Sequence, residues 1–504
     1  MGHAHERCGA GPQLKGAELD LSFEVGWSDG DVESLMAALT EITTLTRLSL
    51  YSMDASISDD HAPAIAAALE SNTKLQELTL RLESISLGGV RALADALATN
   101  TTLQSLSLSA TFGNGVTAAG ARALANALKT NTALLRLDCG GTLGDGGACA
   151  LADAPEVNTT MRVLGLRNCG VGASGARALA KALSKANATL QTLNLSVNAV
   201  GDDGACALGE ALQSNASLLE LDLSYKNNVG DIGARALGEG LRSNTTLQKL
   251  DLSDNCVGDD GARALGEALT ASATIQTLAV QVASVDGDGA QSLAAALMEN
   301  KQLAALTLSG SQIGDEGARA LEKALQGTAA LQALELRKSQ LGDSGARALA
   351  DTLKGSARAF AAALTENSTL AVLKLLSNKI GDDGARGLGD ALKMNATLHT
   401  LELSRNQISD VGAQLIADAL TTNDALRMLE VGENKLGDSG ARAFADALKE
   451  NTTLEALSMT SSNVGNDGAF ALAEALEENT TLKTLNLFGN DVGLTGASAL
   501  AEAL

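Results

Sequence analysis

Apolar and polar positions follow one recurring phrase along this chain. Its clearest instance reads Leu190-x-x-Leu193-x-Leu195-x-x-Asn198, then Val200-Gly201-Asp202-Asp203-Gly204-Ala205, then Ala207-Leu208-x-x-Ala211-Leu212 and Asn215. The opening leucines alternate with polar residues at period two, which predicts a short strand with one buried face. Asn198 can both donate and accept inside a tight backbone bend, as a buried amide must. The Gly-Asp-x-Gly-Ala segment predicts a turn followed by an Asp placed to cap the helix it opens. Ala and Leu three and four apart then predict a helix whose inner face packs on the strand, with the small alanines allowing close approach. The Asn-x-Thr-Leu stretch that follows returns the chain to the next strand.

Taking the middle leucine as marker, the phrase recurs at Leu19, Leu48, Leu78, Leu106, Leu137, Leu164, Leu193, Leu221, Leu250, Leu278, Leu306, Leu334, Leu373, Leu401, Leu429, Leu457 and Leu485. That makes seventeen repeats, spaced by 27 to 31 residues with a single spacing of 39. The turn Asn recurs as Asn255, Asn378, Asn406, Asn434 and Asn490, whereas Cys169, Ser311, Ser339 and Ser462 stand in its place elsewhere.

On these residues the chain resembles ribonuclease-inhibitor-type leucine-rich repeats, a type that also occurs in NOD-like receptors and in Ran GTPase-activating proteins. The resemblance covers residues 14–504. It implies an α/β leucine-rich-repeat solenoid, a horseshoe of about 17 strand–helix units with parallel strands on the concave side and helices outside. The domain reading is a flexible N-terminal tail at 1–13, then the solenoid at 14–504, with irregular capping-type repeats over 14–160 and regular ones over 161–504.

Departures from the phrase carry their own expectations. Gly16 replaces the first strand leucine, and Phe23 and Trp27 set repeat one apart, as expected of a solenoid cap. Pro155 should end the helix of repeat five early. The long spacing between Leu334 and Leu373 looks like a partial duplication, since Ala346-Arg347-Ala348-Leu349-Ala350 recurs as Ala357-Arg358-Ala359-Phe360-Ala361. Eleven extra residues are about three helical turns, so a long or broken helix is expected near 350–366. Leu504 falls inside a helix, and the end of the solenoid is read as covered by another chain or continued by missing sequence.

Composition narrows the chemistry. Only 2% of residues are aromatic, so the core is made of many small Leu/Ala layers. The formal net charge of −23 argues against nucleic acid and membrane surfaces as partners. The six cysteines show no paired spacing, and the first residues lack a signal-peptide core, so the expected location is cytoplasmic. Ten Asn-x-Ser/Thr sequons are present; nine of them (Asn100, Asn158, Asn187, Asn215, Asn244, Asn367, Asn395, Asn451 and Asn479) fall at one helix-to-strand turn, and Asn194 lies in a strand. The repeat itself generates the nine, so they are not read as glycan sites.

No phosphate-binding loop is present, and four widely scattered histidines make neither a zinc site nor a triad. His3, His5 and Cys8 are read as tail residues, and Asp286-Gly287-Asp288-Gly289 as a helix start rather than a calcium loop. With no acid, base, nucleophile and metal set converging, the reading is a protein-binding scaffold without catalysis and without cofactors. The alternatives weighed are a structural subunit of a larger assembly and a regulator of a small GTPase.

A partner is expected on the concave strand positions, one before and one, three and four after each marker. Those positions hold twelve acidic and nine basic residues, a nearly balanced face that favours selective protein contact. The first candidate patch is Glu335, Arg337, Lys338, Lys374, Glu402, Arg405, Glu430 and Glu433. A second is Arg47, Tyr51 and Arg81. The third centres on Tyr225, with Asp222, Asp251 and Asp254.

Overall fold

The computed structural model describes residues 17–23, 34–38, 44–52, 61–82, 85–110, 115–154, 158–185, 189–282, 288–310, 313–328, 330–358 and 369–503. The tail, Trp27, Pro155, the second half of the duplication from Ala359, Asp286-Gly287 and Leu504 lie outside them. The chain forms two compact units, Met1–Asn255 and Cys256–Leu504.

Both units are built alike. In the first, parallel strands run from Ala17–Phe23 to Glu220–Asp222, and Lys249–Val257 begins in this unit. In the second, eight parallel strands run from Thr277–Val282 to Thr484–Asn486. Within each unit every marker leucine faces the next: Leu48 with Leu78, Leu78 with Leu106, and so on to Leu250, then Leu278 to Leu485. The 39-residue spacing leaves this register intact, because Leu334 pairs with Leu373. Part of the extra length goes into the helix. Asp343–Arg358 has 16 residues and is the longest among the described helices.

Each repeat buries a thin layer. In repeat seven Leu190, Leu193, Leu195, Val200, Ala205, Leu208 and Leu212 are all buried, at roughly 1.5–3 kcal/mol for each large side chain. The helix Gly201–Leu212 turns Gly204, Ala205, Leu208, Gly209, Ala211 and Leu212 inward, the wide stripe expected of a helix packed on a sheet.

Three polar ladders stitch these layers together. Asn198 sends its Nδ2–H to the carbonyls of Leu166 (2.7 Å) and Leu195 (2.9 Å), while its Oδ1 accepts from the N–H groups of Cys169 and Val171. Asn378, Asn406 and Asn434 repeat the pattern. Cys169 fills the same place with less: its thiol donates to the Cys139 carbonyl at 2.9 Å, and burial pushes that thiol up to about 12.

The second ladder is made of the sequon asparagines. Asn244 donates to the carbonyls of Leu212 (2.8 Å) and Asn215 (3.0 Å) and accepts from the N–H groups of Thr246 and Leu247. Asn100, Asn158, Asn215, Asn395, Asn451 and Asn479 share the arrangement of Nδ2 on the preceding repeat. N-glycosylation would have to use this same nitrogen. Repetition explains why the sequons occur, and burial of Nδ2 explains why they are poor acceptors. Asn187 and Asn367 lie outside the described residues.

The third ladder corrects an expectation. Asp of the Gly-Asp-x-Gly segment does not cap the helix it opens; it caps the helix of the following repeat. Asp145 Oδ1 accepts from the N–H groups of Gly172 (2.7 Å) and Gly175 (2.8 Å), and Asp202 does the same for Gly230 and Gly233. Asp315, Asp343, Asp382 and Asp438 follow suit. Glycine occupies most of these helix starts and offers no side chain, so the carboxylate comes from the neighbouring layer; at Ser409 the hydroxyl adds to it, donating to Asp382 and accepting from the Val411 N–H. Asp315→Ala is therefore expected to cost about 1 kcal/mol and to speed amide exchange at the start of Asp343–Arg358. Faster exchange confined to its own helix, Gly314–Gly327, would contradict the assignment.

Candidate functional site on the exposed sheet faces

The inward strand positions are almost all leucine, and the outward ones vary from strand to strand. Of the four outward positions expected from sequence, those one before and one after the marker are strand positions, and among the described residues their side chains are partly exposed except at Gly165 and Ala279. The third behaves differently. Small residues there turn in, and Ser196, Ser224 and Ser309 are buried.

The fourth closes the strand in repeats one to four and ten, at Phe23, Ser52, Leu82, Ala110 and Val282, and leaves extended geometry elsewhere. Its backbone is left-handed at Asn168, Val197, Tyr225, Asp254, Lys338, Ser377, Arg405, Glu433 and Ser461, with φ between 47 and 59°. L-residues there cost about 1–2 kcal/mol each, and Gly310 and Gly489 avoid this cost. The conformation persists because its N–H donates to the next repeat: Tyr225 to the Ser253 carbonyl (2.8 Å), Arg405 to Gly432 (2.9 Å), Glu433 to Thr460 (2.6 Å). Tyr225, Lys338, Arg405 and Glu433 are thus held at fixed points where the strands end.

In the second unit the charged patch is largely self-paired. Arg337 meets Glu335 at 2.6 Å along one strand, Lys374 meets Glu402 at 3.2 Å, and Arg405 meets Glu433 at 2.7 Å across neighbouring strands. Glu430 lies in register with Glu402, and burial, with the Glu402 carboxylate beside it, pushes its carboxyl up against the pull of Lys374. Lys338 is exposed. A network that the sequence reading passed over flanks this patch. Glu455 bridges Arg427 (3.1 Å) and Lys483 (2.7 Å), and the Lys483 hydrogen bond and charge hold its carboxyl below the ordinary range. Its members stand two residues before the marker, outside the positions searched.

In the first unit Arg47 pairs with Glu77 at 3.1 Å, and Tyr51 lies in register with Arg81. Tyr225 is 43% exposed, and the Arg167 guanidinium lies 5.6 Å from its ring centre, within cation–π reach. Arg167 also donates to the Ser196 hydroxyl at 3.1 Å. The same unit has a cleft of about 340 Å³, lined by Arg136, Asp138, Asn194, Glu220, Asp222 and Lys249 among others. Asp138 pairs with Arg136 at 2.6 Å and leans over Gly165, where any side chain would overlap its carboxylate. Sequence counting included most of these residues but gave no reason to group them. What brings them together is the shared register of strands about 28 residues apart.

Asp222 and Asp251 are in-register neighbours on this face. Burial pushes the Asp251 carboxyl up and the Asp222 carboxylate adds to this, against hydrogen bonds from Ser253 and the charge of Lys249. A carboxyl raised in the folded state destabilises the fold when ionised, and the penalty disappears as pH falls through the folded value. Asp251→Asn keeps the oxygen that accepts the Ser253 N–H at 2.9 Å. We expect its melting temperature to exceed that of the wild type at pH 7, with the gap closing through the acidic range. A gap independent of pH would mean that the charge is not its cause.

Among the described residues no group of His, Cys, Asp and Glu is arranged to hold a metal ion, and no helix is long and apolar enough to cross a membrane. The described cysteines are unpaired, with Cys139 and Cys169 buried and Cys256 exposed.

Comparison with known proteins bears on the fold. No curated protein matches the chain in sequence. Among solved structures it is similar to leiomodin-1 actin-binding site 2, at 21% identity over 31% of this chain and 86% of that one, with a TM-score of 0.26. It is also similar to the TLR13–ssRNA13 complex, at 16% identity over 92% of this chain and 59% of that one, with a TM-score of 0.44. The model of the leucine-rich-repeat family matches eleven segments, at 157–180, 186–209, 214–238, 243–266, 299–321, 330–350, 366–389, 395–417, 423–445, 450–473 and 478–501. These are repeats six to nine and eleven to seventeen, so the unmatched part comprises repeat ten and the irregular first five. With more than half of its length matched and every marker leucine in parallel register, the chain belongs to the leucine-rich-repeat family.

Proposed function

We propose that this protein is a binding scaffold that recognises another protein through its exposed sheet faces, without catalysis. The observation that carries this reading is the charged cleft among the outward strand positions of the first unit. It combines cations (Arg136, Lys249) and carboxylates (Asp138, Glu220, Asp222) within a few strands, and the same unit exposes the Tyr225 ring stacked by Arg167. Folding uses none of these side chains for its core. Tyr and Arg are also the residues most often found to anchor protein interfaces. The paired charges of the second unit supply a second, more self-satisfied surface, better suited to fixing orientation than to adding affinity.

Repeats of about 28 residues with helices of 9 to 16 residues among those described support the ribonuclease-inhibitor-type subclass. Buried sequon nitrogens and unpaired thiols support a cytoplasmic location.

Affinity capture tests the function. Three baits would be compared: wild type, the pair Arg167→Ala and Tyr225→Ala, and the trio Arg337→Ala, Lys338→Ala and Arg405→Ala. Alanine is preferable to charge reversal because Arg337 and Arg405 already neutralise Glu335 and Glu433. Loss of one set of partners with the pair supports recognition on the sheet face of the first unit. A partner set unchanged in both variants would overturn recognition by the sheet faces.

A further inference from the structure

The outer helices carry a recurring position that is most often arginine, with Cys149, Cys206, Gln291, Gln414 and Ser498 among the exceptions. The phrase Gly-Ala-Arg-Ala-Leu and its near variants place an arginine on the outer face at Arg122, Arg177, Arg235, Arg263, Arg319, Arg347, Arg386 and Arg442. Several meet a carboxylate on the outer face, as in Arg177–Asp203 (3.3 Å), Arg347–Asp383 (3.8 Å) and Arg386–Asp383 (3.4 Å). Repeat sixteen places Phe470 at this position, and its ring is 43% exposed. Replacing a paired arginine with a wet aromatic ring forfeits burial that a soluble helix surface would ordinarily avoid.

Phe470 also separates two grooves. One, of about 340 Å³, lies between the helices Gly437–Glu450 and Asn466–Glu478 and is lined by Arg442, Asp446, Asp467, Phe470, Ala471 and Glu474. The other, of about 370 Å³, lies against the helix Leu494–Glu502 and is lined by Phe470, Ser498, Ala499, Glu502 and their neighbours. Across both, the lining holds four carboxylates (Asp446, Asp467, Glu474 and Glu502) and one cation, Arg442, and Glu474 also meets Lys449 at 3.8 Å.

We infer that this outer surface docks a cationic amphipathic helix of a partner protein, at a site separate from the sheet faces. Charge selects the partner: the rim is acidic and the ring between the grooves is apolar, so the ligand needs apolar anchors flanked by Lys or Arg. Spacing selects a helix. Packed helices lie about 8–10 Å apart, which sets the separation of the two grooves on either side of the Phe470 helix. Anchors at i and i+7 on a helix are about 10.5 Å apart, so a partner helix crossing the outer helices would seat one anchor in each groove around Phe470.

The test uses two fluorescein-labelled 18-residue helical peptides with leucines at i and i+7, one with lysine and one with glutamate at all flanking positions. Binding to the full chain is read by anisotropy at physiological salt. The lysine peptide should bind wild type, weaken at least tenfold with Phe470→Ser, and keep its affinity with Ile232→Ser, which removes another exposed outer-face side chain, in repeat eight. The glutamate peptide should not bind. Equal lysine-peptide affinity for wild type and Phe470→Ser would overturn the inference, because attraction to an acidic chain would then suffice. Sedimentation of the protein alone covers the remaining occupant: self-association abolished by Phe470→Ser would assign the groove to a second copy and overturn it as well.

Discussion

Asn423→Ala is expected to destabilise the second unit by about 3–5 kcal/mol, because it strands four buried backbone groups at once. The Asn423 amide donates to the carbonyls of Leu392 (2.7 Å) and Asn395 (2.9 Å) and accepts from the N–H groups of Ala425 (3.1 Å) and Leu426 (2.8 Å). Alanine satisfies none of these, and water has no access to a position this buried. The inter-repeat part of the loss falls on the junction between repeats thirteen and fourteen. Solenoid stability is a sum of nearest-neighbour terms, so urea unfolding should become broader, with a lower slope and an earlier onset. Asn423→Thr, the residue that repeat eleven carries as Thr328, should fall between the two. A midpoint shift below about 1 kcal/mol for alanine would show that the ladder is incidental to stability.

Gly209→Ala should destabilise the first unit by about 2 kcal/mol through overpacking, opposing the roughly 1 kcal/mol by which helix propensity favours alanine. A methyl on Gly209 would overlap the Ala236 carbonyl of the neighbouring helix, and Gly240 in turn lies against the Gly209 carbonyl. Backbone meets backbone here, so no rotamer change can make room. Repeats six, fourteen and sixteen carry Ala180, Ala417 and Ala473 at the place of Gly209, and all three are buried. Ala417→Gly should destabilise by about 1 kcal/mol through propensity alone. Thermal melts of both variants provide the check, and a Gly209→Ala variant more stable than wild type would mean that the helices can separate freely.

Much of this architecture was legible in the sequence. Seventeen marker leucines, strands at period two and helices with Ala and Leu three and four apart all lie where local periodicity puts them. Such signals span one repeat or less and need no partner for their meaning. The repeat also disclosed which asparagines recur, though not what their amides hold.

The candidate site was legible only as a set of positions. Arg337, Lys338 and Arg405 stood out as long charges, but the structure neutralises Arg337 with Glu335 and Arg405 with Glu433. Arg167 drew no notice in the sequence and gained its role by standing over Tyr225.

The sequence by itself determined the repeat, its elements and the apolar layer that each repeat must bury, because these depend on spacings within about 28 residues. Only the tertiary structure decided that Asp315 caps the next helix, that Tyr225 and Arg405 sit in left-handed backbone, and that the Asn244 Nδ2 is spent on the preceding repeat. Each of these is a contact between layers. Which atom of one repeat meets which atom of the next is set by the stacking of backbones, and local periodicity carries no record of it.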